Sequence, residues 1–166
     1  MRCVIQRVTS ASVQVEGRVV GQIAKGLLIY LSVGKGDAEK DAEFIADKIS
    51  GLRVFSDDAL RLGSGQAGKM NLSVQDIAGE VLLVSNFTLH GDCRKGRRPG
   101  FDAAAEPGVA RELYEKVAKL IADKSIRVAK GIFGANMQVS SVNDGPVTFI
   151  LESPVLFTGI KLTDPS

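Results

Sequence analysis

Tryptophan is absent from this 166-residue chain, histidine occurs once, at His90, and cysteine twice, at Cys3 and Cys93. Each shortage removes a class of chemistry. A zinc site of four Cys or His side chains from one chain is excluded, so the expectation is no metal and no cofactor. Two thiols without spacing logic give no disulfide framework and suit a reducing compartment. Any triad of the Ser-His-Asp or Cys-His kind has to use His90. Aromatic residues make up only 5% of the chain, which leaves no obvious stacking platform for single-stranded nucleic acid. No apolar run approaches the roughly 18 residues needed to cross a bilayer. Gln6 and Arg7 fall where a signal peptide would need its apolar stretch. The expectation is a soluble, cytoplasmic protein with no membrane association.

What is present is ordinary in amount and unusual in placement. Hydrophobic residues at 45% and charged residues at 24% are globular values, and the length fits one domain, 1–166. The net charge is +2, yet four of the 21 basic residues, Arg94, Lys95, Arg97 and Arg98, lie together in RKGRR. The remaining 17 basic residues face 19 acidic ones, so positive charge is concentrated in one segment of a slightly acidic body. Such a segment is either a solvated loop or a contact for phosphate.

Periodicity places the elements. Val4 to Thr9 alternates, Ser12 to Val15 leads into a Glu16-Gly17 turn, Arg18 to Ile23 returns, and Leu27 to Val33 is apolar throughout. This pattern predicts a meander whose last strand is buried on both faces. Asp37 is the expected cap of a helix with Ala38, Ala42, Ile45, Ile49 and Leu52 on its buried stripe. Val54-Phe55 reads as a short strand and Ser56 to Gly68 as an exposed, mobile loop. Val81 to Leu89 is a strong strand, followed by a long connection from His90 to Pro107 that carries the basic cluster. A second helix has Pro107 in its first turn and Val109, Leu113, Val117, Leu120 and Ile121 on its stripe. Ile126–Ala129, Met137–Val142 and Val147–Glu152 complete the strands, and Val155-Leu156-Phe157 in the tail is apolar enough to dock. The predicted architecture is α+β: a largely antiparallel, barrel-like sheet covered by two main helices. Gly34-Lys35-Gly36 lacks the spacing of a phosphate loop and reads as a turn.

Two segments interrupt the apolar pattern. Ser85-Asn86-Phe87-Thr88-Leu89 places polar side chains at the end of a buried strand; a threonine hydroxyl has no nucleophilicity at neutral pH without an activating base, and a lone histidine such as His90 is more often a surface residue. Asn143-Asp144-Gly145-Pro146 between two strands reads as a tight turn or plain hairpin, where a Gly-Pro bond is open to the cis form and glycine lets backbone approach a ligand.

Taken together, SNFTL, NDGPVT, the start IQRVTSASVQVEG, the segment FSDDALRLGSGQAGKMNLSVQD, and RPGF at Arg98–Phe101 resemble the D-aminoacyl-tRNA deacylase (D-tyrosyl-tRNA deacylase) family. The resemblance covers residues 1–152 and leaves 153–166 as an extension. The first motif of the family usually reads S-Q-F-T-L, so Asn86 stands here one methylene short of glutamine. The resemblance implies a cytosolic homodimer that hydrolyses the ester of D-aminoacyl-tRNA, and of glycyl-tRNA, at the acceptor end. Carried over by position, Phe87 and Thr88 line the reaction centre through backbone N–H groups, with Ser85 and Asn86 in support. Gly145 and Pro146 are the Gly-cisPro element that enters the other subunit's site and rejects L-amino acids, and Arg7 braces it. Ala110, Phe133 and Met137 form the adenosine or pocket wall. Arg94, Lys95, Arg97 and Arg98 are the expected phosphate contacts.

An activated ester, backbone donors and the neighbouring ribose hydroxyl allow such chemistry without a triad or metal, in keeping with one histidine and two cysteines. Three other readings stay open on sequence: a non-catalytic RNA-binding module; a relative with relaxed chirality acting on L-alanyl mischarged tRNA, which Asn86 permits; and a small-metabolite amidase or esterase, for which no nucleophile-base pair stands out.

Overall fold

The computed structural model describes residues 1–57 and 69–154. The expected mobile loop, from 58 onward, and the apolar tail segment Val155-Leu156-Phe157 lie outside the described residues.

One long strand organises the sheet. β1 (Arg2–Val15) is 14 residues long and pairs along one edge with β8 (Gln138–Glu152), from Arg2 opposite Glu152 to Gln14 opposite Gln138. Its other edge is shared. β3 (Gly26–Ser32) pairs antiparallel with Arg2–Val8, and β2 (Arg18–Ile23) with Ala11–Val15. The order is therefore β2-β1-β3 rather than the expected meander, because β1 is long enough to hold both neighbours on one edge. β6 (Glu80–Ser85) then runs parallel to β3, and β7 (Arg127–Lys130) parallel to β6. A helix lies in each of these parallel connections: α1 (Glu39–Gly51) with the small β4 (Phe55–Ser56) and β5 (Met70–Leu72) pair in the first, α2 (Pro107–Ala122) in the second. At the far edges, a Cβ on Gly21 of β2 would lie 2.5 Å from the carbonyl oxygen of Lys130 in β7. Only glycine allows that approach, and through it the sheet curls toward a barrel.

β3 is buried on both faces, as its apolar run predicts. Leu27, Ile29 and Leu31 join Val81 and Leu83 beneath the helices, while Leu28 packs with Val8, Val13, Leu82 and Val84 inside the curl. The helix stripes supply the other half of the larger core: Ala42, Ile45 and Ile49 from α1; Leu113, Tyr114, Val117 and Ile121 from α2. Each buried Val, Leu or Ile side chain there is worth about 1.5–3 kcal/mol. Val109 departs from the expected stripe and is 48% exposed, since the first turn of α2 extends past the core. Asp37 is not the cap of α1. The Asp41 carboxylate accepts the Ala38 N–H at 2.9 Å, while Asp37 accepts the Gly34 N–H at 2.6 Å and closes the preceding turn.

Two further corrections set up the site. The strand expected to reach Leu89 stops at Ser85, and Phe87–His90 forms a single 3-10 turn. The hairpin expected at Asn143–Pro146 does not exist: 138–152 is one continuous strand whose two halves pair with the same partner, β1. Gln6 lies opposite Thr148 and Val8 opposite Asn143, so Arg7 alone faces a bulge of Asp144–Val147.

Candidate active site

The strand ends at Ser85 because Asn86 turns the chain and caps the 3-10 turn. Its backbone N–H still reaches the Leu31 carbonyl at 2.8 Å, but its φ of −147° and ψ of 84° leave the ladder. Its side-chain Oδ1 accepts both the Thr88 N–H at 3.3 Å and the Thr88 hydroxyl at 2.5 Å. This is the local side-chain-to-backbone bonding that lets asparagine end regular structure. The Phe87 N–H, by contrast, forms no hydrogen bond among the described residues. No residue of the turn is buried. Phe87 is 59% exposed, and its ring meets Phe101 edge-on at 5.1 Å. Arg2 donates to the Leu89 carbonyl at 2.6 Å from the adjoining end of β1.

Beside this turn lies a cleft of about 620 Å³. The structure brings together in its lining seven of the residues expected from sequence: Ser85, Asn86, Phe87, Thr88, Ala110, Phe133 and Met137. The Phe133 wall is flanked by the Tyr114 ring at 5.8 Å and by the Arg111 guanidinium at 5.3 Å. Sequence reasoning missed Tyr30, Ser32 and Tyr114, which also line the cleft. Their only signal was a polar atom in otherwise apolar stretches. The Tyr114 hydroxyl donates to the Leu83 carbonyl at 2.8 Å, and burial raises both tyrosine pKa values, so each phenol stays protonated at neutral pH.

Arg7, Gly145 and Pro146 are not in the lining of this cleft. They meet one another on the β8 bulge. Arg7 Nε lies 3.2 Å from the Asp144 carbonyl and 3.1 Å from its carboxylate, and its Nη1 donates to the Val54 carbonyl at 2.7 Å. The Asn143 side chain spans the base of the bulge, accepting the Val147 N–H at 3.0 Å and donating to the Val147 carbonyl at 3.3 Å. The Gly145-Pro146 peptide bond is cis, and Gly145 has a φ of +126°. A Cβ at Gly145 would lie 2.8 Å from Val147 Cγ2 and 3.1 Å from Arg7 Nη2, so no other residue fits without strain.

The basic cluster lies on an exposed loop closed by the paired backbones of Asp92 and Gly100, at 2.7 and 2.9 Å. Arg94 is folded back on Asp92 through Nε at 2.9 Å and Nη2 at 2.7 Å, which pulls the Asp92 carboxyl far below the usual range. Lys95, Arg97 and Arg98 form no ion pair among the described residues. Three of the four expected phosphate contacts are thus free to take a partner. Among the described residues, no three His, Cys, Asp or Glu side chains gather as a metal site.

Residues 4–152 match a family model described as D-Tyr-tRNA(Tyr) deacylase. The chain is 53% identical to a D-aminoacyl-tRNA deacylase of Thermotoga petrophila over 157 residues, which is 95% of this chain and 100% of the relative. A D-aminoacyl-tRNA deacylase of Geobacter metallireducens is 53% identical over 154 residues, 93% of this chain and 97% of the relative. Among solved structures, the c-Myc DNA unwinding element binding protein is similar with a TM-score of 0.83 and 38% identity, covering 93% of this chain and 100% of that one. A probable eukaryotic D-amino acid tRNA deacylase shares the fold at a TM-score of 0.74 and 15% identity, over 91% of this chain and 98% of that one.

Proposed function

The chain belongs to the D-Tyr-tRNA(Tyr) deacylase family, and from that premise we propose how its cleft cleaves the ester between a D-amino acid and the terminal ribose of tRNA. The observation that carries the reading is the Phe87 N–H, unpartnered among the described residues, at the edge of a cleft that also gathers Ala110, Phe133 and Met137. The ester carbonyl sits against the exposed turn and the terminal adenosine against the Ala110–Phe133–Met137 wall. Water attacks the carbonyl carbon, assisted by the neighbouring ribose hydroxyl. The Phe87 amide, joined by that of Thr88, stabilises the oxyanion, a contribution of about 3–4 kcal/mol per well-placed donor. The ester C–O bond then breaks, the ribose oxygen takes a proton, and free D-amino acid and tRNA leave. Both Thr88 donors meet the Asn86 side-chain oxygen, the hydroxyl at 2.5 Å and the amide at a longer 3.3 Å, so the amide is the less tightly held of the two and the freer to meet the oxyanion.

Selection against L-amino acids falls to Gly145 and Pro146, presented by a second copy of the chain. Support comes from their exposure, from their absence in the lining of their own cleft, and from the exposed apolar residues Val142, Phe149 and Ile150 on the same strand, which a partner would cover. Backbone carbonyls of this element crowd an L side chain, whereas a D side chain points away and glycine offers nothing to reject. Glycyl-tRNA is therefore a second substrate. Lys95, Arg97 and Arg98 take phosphates of the acceptor end, a contact that positions without reading sequence.

The test is hydrolysis of D-Tyr-tRNA, L-Tyr-tRNA and Gly-tRNA side by side, with excess EDTA present. Release of D-tyrosine and glycine with L-tyrosine retained is the expected result. Equal hydrolysis of the L-ester would end the account of selection, and loss of activity on chelation would end the metal-free scheme.

A further inference from the structure

His90 and Ser32 form a contact that deacylation by the turn amides leaves unused. His90 Nδ1 lies 2.6 Å from Ser32 Oγ, and the same Oγ lies 3.4 Å from the Phe87 carbonyl oxygen. Ser32 is 2% exposed, at the end of β3, and lines the cleft. The site is shaped for the imidazole: a Cβ on Gly34 would stand 2.7 Å from His90 Nε2, so a larger residue there would push the ring out. Through these contacts the only histidine is tied to the turn that carries Phe87 and Thr88.

We infer that His90, acting through Ser32, is a positioning residue for the Phe87–Thr88 peptide unit. One proton decides the direction of the contact. The Ser32 hydroxyl has a single hydrogen, which goes either to His90 Nδ1 or to the Phe87 carbonyl. With a hydrogen on Nδ1, His90 donates to Ser32 and Ser32 donates to Phe87, giving a one-directional chain. The Phe87 carbonyl and the Thr88 N–H belong to the same peptide unit. A donor on the carbonyl polarises that unit and strengthens its N–H as a hydrogen-bond donor. The plane is then held from both sides, by Ser32 at the carbonyl and by the Asn86 side chain at the N–H, 3.3 Å away. Such a clamp matters because the turn has no buried residue to fix it by packing. A nucleophilic role for Ser32 fits less well, since its oxygen is enclosed between the imidazole and a carbonyl.

This inference rests on the reading that these amides serve deacylation, and the tests separate the two. Steady-state kinetics on D-Tyr-tRNA compare the wild type with Ser32→Ala, His90→Gln, His90→Asn and the Ser32→Ala/His90→Gln double variant. His90→Asn keeps an N–H near the Nδ1 position and His90→Gln does not. Expected is a fall of about fivefold in kcat for Ser32→Ala and His90→Gln, as for one lost hydrogen bond, with KM unmoved. The double variant should be no slower than either single, and His90→Asn should restore the rate. Wild-type kcat in Ser32→Ala, or losses that multiply in the double variant, would overturn the inference. So would a loss above about 10³-fold with a trappable acyl-serine, which marks Ser32 as a nucleophile. Nitrogen-15 NMR of His90 in the unmodified protein needs no variant to fold: a hydrogen on Nδ1 is expected, and an Nε2–H tautomer overturns the chain. A wild type inert toward D-Tyr-tRNA would refute the proposed function, while the tautomer would still decide the contact.

Discussion

The turn at Phe87–His90 and the bulge at Asp144–Val147 both depart from sheet geometry, exposing Phe87 and Thr88 in one and Gly145 and Pro146 in the other, and β1 supplies an arginine clamp to each. Arg2 donates to the Leu89 carbonyl at 2.6 Å, and Arg7 holds Asp144 at 3.1–3.2 Å. Their odd-even parity places the two arginines on opposite faces of the strand. The difference lies in what each segment faces. The turn lines a cleft of its own chain, whereas the bulge does not. In the proposed scheme catalysis and selection fall to segments that one chain does not bring into one cleft.

The largest effect is expected at the bulge. Gly145→Ala forces a Cβ to within 2.8 Å of Val147 Cγ2 at a φ of +126°. Displacing the element should lower kcat/KM on D-Tyr-tRNA by about 10²-fold, the scale of a misplacement near 1 Å. Circular dichroism should show the sheet intact. An unchanged rate would remove the bulge from the reaction and leave only the turn.

Next comes the basic loop, which gives no residue to the cleft or to the bulge. Arg97→Gln/Arg98→Gln should raise KM for D-Tyr-tRNA about tenfold at physiological salt and reduce the slope of log K against log salt by about 2. The ratio of D to L hydrolysis should stay fixed, because neither residue lies in the cleft or on the bulge. A changed ratio would mean that binding and selection are coupled.

A smaller effect is expected within the turn itself. Thr88→Ala removes the 2.5 Å bond to Asn86 and frees the cap, yet leaves the amide in place. The deacylation rate should fall by less than about fivefold, as for one exposed hydrogen bond. A 10³-fold loss would make the hydroxyl a participant and blur the assignment of chemistry to main chain.

The same contrast explains how much of the molecule is legible in its sequence. The stripes of α1 and α2 and the doubly buried β3 follow from local periodicity, and burial agrees with them except at the ends. Asn143-Asp144-Gly145-Pro146 reads as a hairpin because a turn and a bulge share the same residues. Only the pairing of both flanking halves with β1 distinguishes them, and that is long-range information. Phe87 and Thr88 are legible through motif resemblance, but their departure from the strand depends on how the Asn86 side chain bonds. Ser32 stays hidden because a serine inside Leu27–Val33 gives no hint of an imidazole 58 residues away.

The smallest effect concerns the anchor of the turn. Half-burial pulls the His90 pKa below its ordinary value, aided by the Arg2 guanidinium and opposed by Asp37 and Glu152; the α-amino group of Met1 also lowers it. A folded-state pKa below the unfolded value near 6.5 means that the unfolded chain binds more protons as pH falls. The stabilisation is complete above that value and is lost as pH drops through the lower, folded pKa. Urea midpoints of the wild type and His90→Asn, taken from pH 7.5 down to pH 5, should therefore converge, since asparagine does not titrate. The bulge contains no histidine, so Arg7→Ala should shift the midpoint by the same amount at every pH in that window. A wild-type midpoint that rises toward pH 5 relative to His90→Asn would mean that the fold holds the imidazole better as the cation, against the lowered pKa that burial gives it.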